Sequence, residues 1–551
     1  MTTRLEKLVP WLVFVIVLLE VCVLQWIGGA YSSGFGGHPD EAAHFVSAIM
    51  VLDFVKGLGG HHQPVAFARD FYLHYPKVAI GNWPPFQYVL MAVWFFLAGV
   101  SRASALLFIA VIAASTGTAM FMVGKKLLSP LAGIFAAGVY VALPLVQQSS
   151  DAVMVEHLVT LLMLLSSLQF ARFVETRKAI DALIFGCVSA FAILTRGSAW
   201  ALLFVPPLVI LFQREWRLLI NWRLWLSATP VIAFCIPWYV LARKLSRGAM
   251  SGVDPHHPFS FLLQATVVFP LWTVQAIGAV LGCLAALGVW IALIAPKRGT
   301  SAYWSALASI AIGVLIIQCV VPASLEPRFM VQLLPSILLL AAAGAQWLMG
   351  GIPSIGISGS IARPAAWLIA AVISLVPVFH IPTQVRNSGY DAVASALIID
   401  AKRTGGAMLV TSDSIGEGSI VAAVAMNDIR PGAVVVRGSK VLTNEDWLGR
   451  GSRERFGTPD ELRSFLNDIP INEVVIDRAT DPQWRRPYHA MVTQMMLTHR
   501  SEWVLQGTYD LVRRGRDMPQ SVQIFVRRPD GGEQIAQAVN MQKLAKSMQG
   551  N

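Results

Sequence analysis

The sequence predicts an all-α polytopic membrane protein, with about 11 crossings plus juxtamembrane helices, carrying a C-terminal soluble α/β domain. Three observations lead there. Of 551 residues, 55% are hydrophobic and only 14% charged, whereas average soluble domains carry roughly 25% charged residues. Apolar stretches long enough to span a bilayer, about 17–25 residues each, recur through positions 1–385. From residue 386 onward, short β-rich runs alternate with helix-like stretches, the pattern of an α/β fold. One soluble fold is thereby excluded. A disordered chain is excluded too, because disorder needs low hydrophobicity and high charge density.

Crossings are read near 9–28, 104–124, 131–147, 156–172, 180–195, 198–213, 223–242, 267–294, 302–321, 329–349 and 364–382. The first is too long for a signal peptide and lacks a small-residue cleavage site, so it is read as a retained helix. Arg4 and Lys7 precede it and set the N-terminus on the cytoplasmic side. Under simple alternation Lys125/Lys126, Arg172/Arg177/Lys178, Arg214/Arg217/Arg223 and Lys297/Arg298 fall on that same side. A further crossing at 84–100 would move every later cluster to the opposite face. That stretch, opened by Trp83-Pro84-Pro85, is therefore read as a juxtamembrane or re-entrant helix.

Three segments follow: a membrane module at 1–385, an extracytoplasmic α/β domain at 386–530 and a polar tail at 531–551. The net charge of +11 would suggest nucleic acid in a soluble chain. Residues 386–551 hold 21 basic and 19 acidic residues, a contribution of +2, so +9 belongs to the membrane module. Membrane lipids, not nucleic acid, are the partner this implies. All five cysteines (Cys22, Cys187, Cys235, Cys283, Cys319) lie in predicted crossings, which leaves no disulfide framework or zinc-site spacing.

The membrane module has only 32 − 19 = 13 acidic residues. Asp40, Glu41, Asp53, Asp70, Asp151, Glu156, Asp254 and Glu326 fall in or beside outward segments, which predicts a site on the outer face. The first outward loop reads Gly36-Gly37-His38-Pro39-Asp40-Glu41-Ala42-Ala43-His44. Pro39 suits the first position of a helix, and Asp40 and Glu41 then sit where the helix dipole favours their ionised forms. His44 is four residues on and shares the face of Asp40. Two readings remain open here: an ordinary helix start, or an ionised carboxylate serving as general base.

An Asp-Glu pair after the first crossing, followed by Pro-Pro and Asp motifs, resembles the GT-C glycosyltransferases. These take a sugar from a polyprenyl-phosphate carrier on the extracytoplasmic face. The branch most similar holds the protein O-mannosyltransferases and the lipid A aminoarabinose transferase. The resemblance covers roughly 1–350 and implies a GT-C-like module whose catalytic Asp matches Asp40, with Glu41 beside it. Gly81-Asn82-Trp83-Pro84-Pro85-Phe86 resembles the family's His-Pro-Pro-Leu segment, with Trp83 in the place of His. Gln147-Gln148-Ser149-Ser150-Asp151 resembles the second outward loop, whose Asp belongs to the active site. Leu194-Thr195-Arg196-Gly197 resembles a Leu-Thr-Lys-Gly motif, and Leu325-Glu326-Pro327-Arg328-Phe329 a Glu-x-Arg-Tyr stretch.

The chemistry can be argued from the residues as well. An inverting transfer needs one base to deprotonate the acceptor hydroxyl as it attacks the anomeric carbon. The leaving phosphate needs cationic stabilisation more than a strong acid. Arg196 and Arg328 lie at outward ends of crossings, and a guanidinium fork suits phosphate oxygens. Arg69, Lys77, Arg243, Lys244 and Arg247 are reserve cations. Asp151, with Glu156 and His157, would position the acceptor or coordinate a cation, or simply cap a helix. No cofactor is required; a divalent cation on Asp40, Asp151 and His44 is compatible, although no spacing demands one. The pairs His61-His62 and His256-His257 read as polar loop residues.

Glu20 lies inside the first crossing, where a carboxylate implies a partner or the outer interface. Ser412 to Ser419 follows a predicted strand and resembles a phosphate-binding turn only loosely, so an ordinary strand-to-helix loop is expected. Trp447, Trp484, Arg485, Arg486 and Tyr488 are read as structural, with glycan binding as the other reading. The expected activity is transfer of a hexose or pentose from a polyprenyl-phosphate-linked donor to a glycan, lipid or protein acceptor. The alternative is a transporter or lipid-linked-sugar flippase, for which midplane charges and repeated halves would speak. Neither is visible here.

Overall fold

The computed structural model describes residues 4–57, 63–78, 81–245, 259–294, 301–350, 359–382, 387–444, 452–480, 482–513, 520–528 and 539–549. His61, His62, Arg247, Asp254, His256, His257, Lys297, Arg298, Trp447 and the first part of the tail, 531–538, lie outside them. The chain forms two compact units. One takes in Met1–Gly28, Gly81–Gln87 and Leu106–Pro382; the other takes in Gly29–Ile80, Tyr88–Ala105 and Thr383–Asn551.

The first unit is helical. Among the described residues, seven helices are long and apolar enough to cross a membrane: Glu6–Ile27, Arg102–Leu127, Glu156–Thr176, Trp222–Leu245, Ser260–Ile294, Ala302–Val320 and Pro327–Gly350. Pro130–Ala142 and Pro144–Ser150 make an eighth if taken as one span, bent by 63°. Pro144 causes the break, because its ring cannot continue the preceding helix and it opens the next one instead. The straight crossing expected at 131–147 is thus a bent pair, and its second half delivers Asp151. Three shorter apolar helices, Ala179–Ile193, Gly197–Gln213 and Ala362–Leu375, complete this unit, and a fourth, Phe86–Ala98, falls from Tyr88 onward in the second.

Packing follows helical spacing. In Ser260–Val289, Ala265, Phe269, Thr273, Ile277, Leu281 and Ala285 are buried at every fourth position, while Leu263, Val267, Leu271 and Val274 face outward. Gly278, with φ 73°, breaks this helix midway. Beyond the break the helix crosses Leu334–Gly350 at two glycines. A Cβ on Gly288 would stand 1.9 Å from the Leu340 carbonyl oxygen, and one on Gly344 would stand 2.1 Å from that of Leu284. Such close approach between membrane helices needs small residues.

The second unit is built on a five-stranded sheet. The strands are β1 (Ala407–Thr411), β2 (Val435–Arg437), β3 (Thr443–Asn444), β4 (Arg453–Glu454), β5 (Ile471–Asp477), β6 (Trp503–Leu511) and β7 (Gln520–Arg527). The order is β2-β1-β5-β7-β6, with β3 and β4 forming a separate two-stranded ribbon. β2, β1 and β5 run parallel; β7 and then β6 add antiparallel. The runs Ala407–Thr411, Ala433–Arg437, Glu473–Asp477 and Val522–Val526, expected as strands from their β-rich composition, correspond to β1, β2, β5 and β7, whereas β6 was not expected. It is an edge strand, with a register shift between Leu505 and Gly507, and its mixed exposure hides the alternation that marks a strand.

Residues 29–105 contribute to this unit as well. Ser419 Oγ donates to the Phe35 carbonyl (2.9 Å), Arg430 pairs with Asp53 (2.7 Å) and Tyr75 Oη donates to Asp428 (2.7 Å). The Ser412–Ser419 stretch is an ordinary strand-to-helix loop. Asp413 caps the Ser414–Asn427 helix through the Ile415 and Gly416 amides, and buried Arg513 bridges Asp413 and Asp477. Tyr488 Oη donates to the Ser412 carbonyl (3.2 Å), which makes its role structural.

Two outcomes test this packing. Gly344→Leu overpacks the helix crossing and should cost about 3 kcal/mol, read as a lower melting temperature of the solubilised chain. Gly350→Leu, where nothing lies within 4 Å of the added Cβ, should leave it unchanged. Glu473 is 1% exposed on β5, and burial together with the nearby Asp400 charge pushes its pKa up to about 9. The folded state then holds that proton far longer than the unfolded chain, so stability is full below the ordinary carboxylate range and falls as pH rises toward 9. Glu473→Gln should raise the melting temperature at about pH 8 and change it little near pH 4.

Candidate active site

The site residues expected from sequence divide between the two units. Asp40, Glu41 and His44 belong to the sheet-bearing unit, and Asp151, Arg196, Glu326 and Arg328 to the helical one.

The first group sits at the start of the Glu41–Lys56 helix. Asp40 occupies the N-cap position and Glu41 the first helical turn, so the helix begins just after Pro39 instead of on it. The His44 amide closes the turn on the Asp40 carbonyl (3.0 Å). The two carboxylates then part company. Glu41 is fully buried and accepts from the Gly36 amide (3.0 Å), the Gly37 amide (3.1 Å) and Arg102 Nε (3.0 Å) and Nη2 (2.9 Å). Arg102 Nη1 reaches the Ala30 and Ser33 carbonyls at 2.5 and 2.7 Å. One ion pair therefore fastens both ends of the 30–37 loop. The Asp40 side chain keeps 21% exposure, with His38 Nδ1 3.4 Å from Oδ2.

His44 is buried, with Nδ1 2.9 Å from Tyr88 Oη. Lys77, a reserve cation in the sequence, comes close to this group. Its side chain fills the space left by Gly418, 3.2 Å from where a Cβ would stand, and the Ala42 methyl borders the same space. Burial and the neighbouring Arg437 push the Lys77 amine down to about 7, and the negative charge of Asp40 opposes that shift.

The second group is organised by an acid. Glu156 opens the Glu156–Thr176 helix and is fully buried. It pairs with Arg196, and Arg328 Nη1 lies 3.3 Å away. Both guanidiniums also lie over the Phe329 ring, at 4.3 and 5.3 Å from its centroid. Arg328 Nε donates in turn to Glu326 (2.5 Å), which accepts from Ser324 Oγ (2.6 Å). Arg196 and Arg328, from two places in the chain, are thus brought together by the Glu156 carboxylate, and Glu326 joins them through Arg328.

Asp151 ends the Pro144–Ser150 helix and is 3% exposed. Its Oδ2 would stand 3.3 Å from a Cβ on Gly28, and Gln25 Nε2 donates to the Ser150 carbonyl beside it (2.8 Å). His157 Nε2 lies 3.0 Å from Ser150 Oγ. Arg102 went unrecognised in the sequence, and its signal was faint: a cation at a helix start, where the dipole does not favour one.

Against this geometry, residues 82–241 match the family model described as dolichyl-phosphate-mannose-protein mannosyltransferase. The fold is shared with ArnT from Cupriavidus metallidurans bound to undecaprenyl phosphate, at 13% identity and TM-score 0.54, covering 93% of this chain and 97% of that one. It is also shared with the Archaeoglobus fulgidus oligosaccharyltransferase in complex with zinc and sulfate, at 13% identity and TM-score 0.53, covering 94% and 75%. A third structure, AglB from the same archaeon with an inhibitory peptide and a dolichol-phosphate, has 12% identity and TM-score 0.50. No curated protein matches in sequence. The matched segment and the shared GT-C fold support a membrane glycosyltransferase.

The Glu41–Arg102 pair yields a test. Arg102→Met leaves a buried, uncompensated carboxylate and should cost about 3–5 kcal/mol of stability. The double variant Glu41→Gln/Arg102→Met should recover part of that loss, read by thermal unfolding of the solubilised chain.

Proposed function

We propose that the chain transfers a sugar from a polyprenyl-phosphate-linked donor to an acceptor hydroxyl on the extracytoplasmic face, with inversion and with Asp40 as the base. One observation carries the assignment of the base. Of the Asp-Glu pair, Glu41 is buried beneath amide and guanidinium donors, whereas the Asp40 carboxylate at the helix start is partly exposed. Proton transfer needs a carboxylate that a hydroxyl can reach. Glu41 is then a positioning residue.

Arg196 and Arg328 are the cations proposed for the donor phosphate. Glu156 and Phe329 hold their planes, and Asp151 is proposed to orient the acceptor. Pre-organised cations cost no reorganisation when charge grows on the leaving phosphate. Arg4 and Lys7 support a cytoplasmic N-terminus, and with it we propose that residues 386–530 lie on the outer side.

Asp40→Asn should lower kcat by ~10²–10⁴-fold with the donor KM little changed. Arg196→Gln and Arg328→Gln should mainly weaken donor use. These are measured with a lipid-linked donor in reconstituted membranes. Retention of wild-type kcat in Asp40→Asn removes Asp40 from the role.

A further inference from the structure

A groove of about 460 Å³ opens in the sheet-bearing unit between the Pro487–Thr498 helix and the antiparallel edge of the sheet. Its wall is one helical stripe: Thr493, Met496 and Leu497, extended by Arg500 just past the helix end. Its floor is apolar, from Ile476 on β5, Phe525 on β7, and Trp503, Val504 and Leu505 on β6. Three arginines, Arg478, Arg500 and Arg528, complete the lining, and no acidic residue contributes to it. The volume lies within the range of small-molecule sites, roughly 300–1,000 Å³.

Two features separate this groove from an ordinary surface dip. Arg500 and Arg528 make no side-chain hydrogen bond or ion pair among the described residues, although their neighbours Arg463 and Arg527 are engaged with Glu502 and Asn467. Trp503 is only 4% exposed, yet its indole N–H has no acceptor among the described residues. A buried indole N–H normally finds a partner. The groove therefore combines an apolar bed with uncommitted guanidiniums.

We propose that this groove binds an anionic amphiphile, a phosphorylated lipid whose apolar part lies on Phe525, Leu505 and Ile476. Its phosphate is held by Arg500 and Arg528, with the Trp503 ring forming part of the wall. Guanidinium forks match phosphate oxygens. The uncommitted charges and the apolar floor together require a ligand with both parts. This site is independent of Asp40 and stands or fails separately from the transfer reaction.

The test uses the full chain in neutral phosphatidylcholine nanodiscs, labelled with 5-fluorotryptophan. The Trp503 resonance is assigned by its loss in Trp503→Phe, so phosphate held elsewhere goes unread. Titration with hexyl phosphate should shift that resonance saturably, and inorganic phosphate or hexanol should need at least ~10-fold higher concentration. Arg500→Gln/Arg528→Gln should weaken the hexyl phosphate response ~10-fold or more, while Arg500→Lys/Arg528→Lys keeps part of it. An unchanged titration in the glutamine variant overturns the arginine assignment. Equal responses to inorganic and hexyl phosphate overturn the amphiphile.

Discussion

The buried Glu41–Arg102 ion pair is the interaction on which the proposed catalytic edge depends. A carboxylate taken wholly out of water is costly unless its lone pairs are filled. Here two loop amides and a guanidinium fill them, and the same guanidinium ties down two carbonyls further back. The loop from Ala30 to Gly37 therefore has one conformation compatible with that pair. Asp40, adjacent in sequence to Glu41, is presented at the helix start by this arrangement. Glu156 acts in the same way in the helical unit, where a buried acid holds Arg196 and Arg328 over Phe329.

On the proposed reading, both cases separate the group that positions from the group that reacts. Burial favours a charge that is fully paired, and such a charge is poorly placed for proton transfer. The partly exposed neighbour keeps its reactivity and inherits the geometry. Lys77 adds a further influence on Asp40. Its amine sits in the space left by Gly418, and with its pKa lowered to about 7 its charge changes near neutral pH.

Much of the fold was legible because the bilayer imposes length and composition. The long apolar runs at 9–28, 156–172 and 302–321 correspond to the helices Glu6–Ile27, Glu156–Thr176 and Ala302–Val320. The bend at Pro144 was harder to read, since an apolar run looks continuous whether or not a proline breaks it. β1, β5 and β7 were visible as apolar runs, whereas β6 was masked by its edge position and Gly507. The individual site residues Asp40, Asp151, Arg196 and Arg328 could be singled out by side and sequence context. Their partners could not. Arg102 and Glu156 are ordinary charges in sequence, and only tertiary contact shows that one locks the loop and the other gathers two arginines.

The proposed transfer is a single displacement in which Asp40 takes the proton of the acceptor hydroxyl. The configuration of the product's anomeric carbon, read by NMR from a donor of known anomeric form, tests it most directly. One displacement with a base predicts inversion at that carbon. Net retention would require a covalent glycosyl intermediate or a different face of attack, and would contradict the role assigned to Asp40.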